Sequence, residues 1–205
     1  MWIGEYGKFV YLTYMGTVLA ISAIYFMLQQ QPTEAMMCFI GSGMCDLFDG
    51  QVARSFERTE FQEGYGTEID SLCDMVSFAV LPAVLLLKAA IALSVGIVGV
   101  LLASLYVVAA VSRLAYFNTL AKDNSVPKPT HFTGLPVTYA ALVFPVVYLI
   151  SEWFKVGSYV YAWLLFGLVL SFLFVWHKPI PKPNSKAYLF FVGLAIVTLL
   201  GLWRL

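Results

Sequence analysis

Asp46, Asp49, Arg54, Asp70 and Asp74 are charged side chains set in otherwise apolar sequence. They fall between or inside runs that read as membrane helices, where a carboxylate at helix-centre depth costs about 2.5–3.5 kcal/mol. Four carboxylates together need a compensating partner. Oxygen-only ligands suit a hard divalent cation such as magnesium, manganese or calcium. Asp46 and Asp49 are three residues apart and Asp70 and Asp74 four apart, so each pair shares a helix face. Two antiparallel helices joined by a short loop would point all four carboxylates into one polar hollow. Like charges that close repel unless cations intervene. One or two divalent cations would relieve the repulsion, hold a diphosphate and neutralise charge on a leaving phosphate.

The neighbouring residues extend this reading. Gly50 follows Asp49, Ala53 follows one turn later, and Gly66 precedes Asp70 by one turn. Small residues let a ligand approach the backbone closely, and the Arg54 guanidinium offers a planar fork suited to phosphate oxygens. Together they suggest a nucleotide diphosphate substrate. The competing reading is a set of buried salt bridges that fix helix packing, but four acids beside one arginine leave the charge unbalanced.

These residues must be positioned by membrane helices. Of 205 residues, 60% are hydrophobic and only 12% charged, against roughly 25% charged in a soluble domain. The fold expected is an all-α, polytopic transmembrane helix bundle forming a single domain over residues 1–205. Seven spans are expected, at roughly Lys8–Leu28, Glu34–Phe56, Gly66–Leu87, Ala89–Leu120, Leu135–Ser151, Gly157–Trp176 and Ser185–Trp203. The fourth is long for one straight span and would have to tilt or protrude. Ser55–Tyr65 reads as a loop, and the Pro-rich stretch His177–Ser185 as a stiff one. Lys8, Arg58, Lys122, Lys128, Lys178, Lys182 and Lys186 fall on one side, and Lys88, Lys155 and Arg204 on the other. That asymmetry puts the N-terminus and the acidic cluster toward the cytoplasm. Tyr159, Tyr161, Trp163, Trp176 and Trp203 fit interfacial belts. Cys38, Cys45 and Cys73 lack metal-ligand spacing and read as small core residues. No cleavable signal peptide is evident, and a net charge of zero suggests no nucleic-acid partner.

The order Asp46-x-x-Asp49-Gly50-x-x-Ala53-Arg54, then Gly66-x-x-x-Asp70-x-x-x-Asp74, resembles the signature of the CDP-alcohol phosphotransferases. The stretch Tyr65–Phe78, the run Arg113-Leu114-Ala115-Tyr116-Phe117-Asn118 and the run His131-Phe132-Thr133-Gly134-Leu135-Pro136 are similar to motifs of its phosphatidylserine synthase branch. The resemblance covers roughly residues 10–185. It implies a six-helix core over about residues 8–185, with the run at about 185–203 as an added seventh helix, and a homodimer in the cell membrane. The implied reaction moves the phosphatidyl group of CDP-diacylglycerol to L-serine and releases CMP. Asp46, Asp49, Asp70 and Asp74 would hold magnesium or manganese, with Asp74 also the general base. Asp46, Gly50, Ala53, Arg54 and Gly66 would contact CDP-diacylglycerol. Two departures stand out. Eleven residues separate Arg54 from Gly66, three more than the family pattern, and the first apolar run lacks an asparagine that the pattern implies.

Arg113 lies inside the fourth apolar run. It reads either as a ligand of the diphosphate or the serine carboxylate, or as a side chain snorkelling to the interface. Asn118 would orient substrate or cap a helix end. Glu68 points to another face than Asp70 and reads as a surface or supporting group. His131 and His177 read as solvated or interfacial, Lys178, Lys182 and Lys186 as contacts for anionic lipid heads, and Gly96 and Gly99 as helix-packing positions. The rival functions are the same chemistry on glycerol 3-phosphate or inositol phosphate, and a cation transporter built on the acidic cluster.

Overall fold

The computed structural model describes residues 3–122, 131–155, 158–181 and 185–205. A 3-10 turn at Lys8–Val10 leads into α1 (Tyr11–Leu28), followed by α2 (Pro32–Arg54) and α3 (Glu60–Asp74). A π-helical turn, Met75–Val80, joins α3 without a break to α4 (Leu81–Ala92). Then come α5 (Gly96–Lys122), α6 (Ala140–Phe154), α7 (Tyr159–Val175) and α8 (Ser185–Leu202). Since α3, the π turn and α4 form one rod, the described residues make seven helical rods, the number expected. The segments Lys8–Leu28, Glu60–Ala92, Gly96–Leu120 and Val137–Phe154 are each long and apolar enough to cross a membrane. Tyr159–Val175 and Tyr188–Trp203 are shorter apolar helices. Carrying Glu34, Asp46, Asp49 and Arg54, α2 is not among the four, yet it packs against α1, α6 and α8. The buried core runs from Ala20 to Leu202 and draws on α1, α2, α4, α5, α6, α7 and α8.

Two expected boundaries are corrected. The run Ala89–Leu120 is not one long span: it breaks at residues 93–95, where Ser94 takes a left-handed φ of 58°. The Leu93 and Val95 amides bond back to the carbonyls of Ala89 and Ala90, closing α4 so that α5 can turn back on it. Ser55–Tyr65 is not all loop either. A capping box, Thr59 with Gln62, starts α3 at Glu60, and Glu60 and Glu63 favour the positive end of the helix dipole. Only 55–59 connects α2 to α3. The Gln62 side chain also donates to Glu5 at 3.1 Å, and the Tyr14 hydroxyl donates to the Glu5 carbonyl and meets the Tyr65 hydroxyl at 2.9 Å. The segment before α1 is thereby tied to the start of α3.

The π turn has a local cause. Pro82 has no N–H to offer the Phe78 carbonyl four residues back. The wholly buried Tyr106 of α5 donates its hydroxyl to that carbonyl instead, at 3.3 Å. This displaced turn follows Asp74 directly, and single π turns are frequent at functional sites.

A small antiparallel ribbon joins β1 (His131–Thr133) to β2 (Pro179–Pro181), with Phe132 opposite Ile180. It places the connections before α6 and before α8 at the same end of the bundle, as an even number of intervening spans requires. Gly134 sits beside it with φ +77°, and a Cβ there would stand 2.3 Å from the Phe174 carbonyl oxygen. Gly134→Ala should therefore add about 1–3 kcal/mol of backbone strain on top of the collision. A clear drop in the thermal midpoint in detergent is the expected result; an unchanged midpoint would contradict this geometry.

Among the aromatic residues, Tyr161, Trp176 and Trp203 are exposed, as a belt requires. Trp163 is not a belt residue: it is fully buried and donates its indole N–H to the Phe144 carbonyl at 3.1 Å. Its position one turn after Tyr159 puts both rings on the α7 face that packs on Phe144 and Tyr148 of α6. Gly99 is a packing position, since a Cβ there would collide with Ala90, whereas Gly96 faces open space. Lys128 and Lys182 lie outside the described residues. Of His131, Lys122 and Lys186 only the backbone is described.

Candidate active site

The antiparallel run of α2 against the start of the third rod decides how the aspartates meet. A three-residue step on one helix and a four-residue step on the other advance about 4.5 and 6 Å, so the pairs match across the gap. The carboxyls of Asp46 and Asp74 approach to hydrogen-bonding distance, as do those of Asp49 and Asp70. Carboxylate oxygens of Asp46, Asp49 and Asp70 all lie within 4.8 Å of one another. Asp74 joins the group through Asp46. The four residues form one polar hollow.

Three further groups attend the cluster. From α1 the Thr13 hydroxyl donates to Asp49 Oδ2 at 3.0 Å. Ser42, one turn before Asp46, has a buried hydroxyl without a hydrogen-bond partner among the described residues. It faces a gap of about 10 Å³ also lined by Asp46, Asp49 and Asp74, close to the size of one water molecule. Arg113 is buried rather than snorkelling, its guanidinium over the Phe117 ring at 4.6 Å and its Nε without a partner among the described residues. The charge of Arg113 bears on Asp74 and Asp46. One buried arginine against four aspartates leaves the hollow acidic, and the donors are all oxygen. That set fits a hard divalent cation.

Beside Asp49 and Asp70 opens a cavity of about 260 Å³. Gly50, Ala53, Arg54 and Gly66 line it, so the four residues read as contacts for CDP-diacylglycerol beside the aspartates reach the same space. Arg54 lies back over its own helix, with Nη1 3.4 Å from where a Cβ on Gly50 would stand. Phe9, Val10, Thr13, Arg58 and Thr67 complete the lining. A second cavity, about 200 Å³, is lined by Arg113, Ser112, Tyr116, Thr133 and His177, with Phe174–Trp176. The Asn118 Oδ1 accepts from the Ser71 hydroxyl at 3.0 Å, tying α5 to α3 between Asp70 and Asp74. Glu68 is exposed. The added helix α8 packs on α2 and α6, and its Tyr188 hydroxyl donates to the Leu47 carbonyl at 2.7 Å, next to Asp46. The cysteines form no disulfide; Cys45 and Cys73 are buried and Cys38 half-buried.

Sequence reasoning passed over Thr13, Ser42 and Arg58. A lone threonine in an apolar span was the available signal for Thr13, because hydroxyls in such runs either bond their own helix or serve a neighbour. Thr13→Val removes the donor to Asp49 with little change in volume. Groups that support metal-binding carboxylates are worth about 10–100-fold in metal affinity or activity. A loss in that range, read as the rise in cation concentration needed for half-maximal turnover, is expected. An unaltered cation requirement would show Thr13 to be merely a packing residue.

Comparison with known proteins agrees with this geometry. Residues 10–175 match the CDP-alcohol phosphatidyltransferase family. A CDP-diacylglycerol–serine O-phosphatidyltransferase of Mycobacterium tuberculosis is 34% identical over 156 residues, 75% of this chain and 53% of the relative. The protein of the same name from Saccharomyces cerevisiae is 37% identical over 150 residues, 68% of this chain and 51% of the relative. An archaetidylserine synthase of Methanothermobacter thermautotrophicus is 36% identical over 114 residues, 56% of this chain and 43% of the relative. The chain spans about half the length of these curated relatives. The family match covers the four aspartates, most of the lining of both cavities and all the rods except α8, and on that extent the chain belongs to the CDP-alcohol phosphatidyltransferase family.

Proposed function

We propose that this chain is an integral membrane enzyme that transfers the phosphatidyl group of CDP-diacylglycerol to L-serine, giving phosphatidylserine and CMP. The observation that carries the proposal is the acidic hollow opening directly onto the cavity of Gly50, Ala53, Arg54 and Gly66. A nucleotide diphosphate is the ligand that needs both. Serine is the acceptor in the names of all three relatives above, while the lipid word differs among them.

In this reading Asp46, Asp49, Asp70 and Asp74 hold one or two divalent cations, magnesium or manganese. When bound, they supply charge neutralisation at the diphosphate and the departing CMP. Gly50, Ala53 and Gly66 let the CDP moiety lie against the backbone, and Arg54 offers its fork to a phosphate oxygen. Asp74 takes the proton of the serine hydroxyl. The serine oxygen then bonds to the lipid-bearing phosphorus as the bond from that phosphorus to the CMP oxygen breaks. A carboxylate is a weak base, so positioning carries much of the acceleration. Arg113, buried between Asp74 and the second cavity, suits the serine carboxylate. Asn118 holds α3 in register through Ser71, beside Asp70 and Asp74. Packing by α8 and the surrounding rods keeps out water, which would hydrolyse the same phosphate. The reading includes a cell-membrane location, the N-terminus and site toward the cytoplasm, and a homodimer.

The deciding measurement uses the full chain in detergent with labelled CDP-diacylglycerol, magnesium or manganese, and a panel of alcohols. CMP release that depends on serine is expected. Release only with glycerol 3-phosphate or inositol phosphate would change the acceptor. No release with any acceptor, together with cation flux in liposomes, would overturn the enzyme reading in favour of transport.

A further inference from the structure

The stretch from Arg54 to Gly66 is three residues longer than the family pattern, and its part joining α2 to α3 carries an arginine, Arg58, to the cavity of Gly50 and Gly66. A loop arginine ordinarily extends into water. The Arg58 side chain is instead only 16% exposed, against 62% for Glu63, its ion-pair partner at 3.7 Å. That pair is too long for a hydrogen bond, and a pair with one partner so exposed is worth about 0–1 kcal/mol. Glu63 therefore does not account for Arg58 turning inward. Its Nη1 lies 3.7 Å from where a Cβ on Gly66 would stand, so the guanidinium lies over Gly66 as that of Arg54 lies over Gly50. Arg54 is the more exposed of the two. Two forks thus border a cavity that Asp49 and Asp70 also line.

We propose that Arg58 is a second diphosphate ligand, supplied by the α2–α3 connection and working beside Arg54. The proposal rests on the reading that this cavity takes CDP. A guanidinium donates in a plane to two phosphate oxygens at once. Arg58 meets the diphosphate from the Gly66 side, and Arg54 meets it from the Gly50 side.

The test measures binding of CDP and of cytidine to the full chain in detergent with magnesium, alongside steady-state kinetics. R58A should weaken CDP about tenfold, leave cytidine within about twofold, and raise KM for CDP-diacylglycerol with KM for serine unmoved; a charged hydrogen bond of about 1.5–3 kcal/mol corresponds to a loss of that order or more. R58K, which keeps the charge but not the fork, should recover only part of the affinity. E63Q serves as the structural control and should leave CDP affinity within about twofold. Equal losses for R58A and E63Q, or equal losses of CDP and cytidine, would reduce Arg58 to a loop anchor. Unchanged CDP affinity in R58A would overturn the assignment alone, whereas no CDP binding by the unsubstituted chain would overturn the substrate reading beneath it.

Discussion

Asp74→Asn should cut turnover by about 10²–10⁴-fold, the range for removal of a general base, while leaving much of the CDP affinity. The amide has the volume of the carboxylate, and its NH₂ can donate to Asp46, which Asp74 already meets at hydrogen-bonding distance. Helix packing around the π turn should therefore persist. What the amide cannot do is accept the proton of an attacking hydroxyl. Asp46, Asp49 and Asp70, whose oxygens lie within 4.8 Å of one another, are left to hold the cation. The measurement is kcat from CMP release beside a CDP titration of the same preparation. Turnover near that of the unsubstituted chain would remove Asp74 as the base. Loss of CDP binding together with turnover would make it chiefly a cation ligand.

Chelating divalent cations should abolish activity, and magnesium or manganese should restore it. The physical reason is the charge balance of the hollow. Four carboxylates converge, Arg113 is buried beside them, and Arg54 and Arg58 border the adjoining cavity, so three arginines face four aspartates. A diphosphate carries further negative charge and would be repelled without a cation between. The same ion should stabilise the fold, because a ligand present at a hundred times its Kd and bound only by the native state adds about 2.7 kcal/mol. Thermal unfolding in detergent, with and without magnesium, reads this apart from turnover. Full activity after exhaustive chelation would refute the cation requirement. An unshifted unfolding midpoint would place the ion with the substrate rather than with the free protein.

Much of this site is legible in the sequence. Helical period alone paired Asp46 with Asp49 and Asp70 with Asp74, and an antiparallel turn was enough to make the pairs face each other. The connection from Arg54 to Gly66 was misread because its eleven residues carry few apolar side chains. Helix formation there depends on the Thr59–Gln62 capping box and on Glu5 and Tyr14 docking against it. The boundary near Lys88 was misplaced for the opposite reason. The apolar run is continuous through α4 and α5, and only the left-handed Ser94 marks where it turns. Trp163 looked interfacial by its place near a span end; its burial follows from the face it shares with Tyr159.

The chain's own order of residues pointed to the class of chemistry and to helices as the elements that bear it. Acid spacing, adjacent small residues and apolar length are local properties, and local properties follow from helix geometry and from the cost of charge in hydrocarbon. Which groups complete the site was a matter of packing between distant segments. Thr13 reaches Asp49 across 36 residues, and Asn118 reaches Ser71 across 47. Arg113 came to lie beside Asp74 and Asp46, and Arg58 came to lie over Gly66. No periodicity encodes such meetings. They depend on how rods of fixed length cross and on which side chain then occupies the space between them.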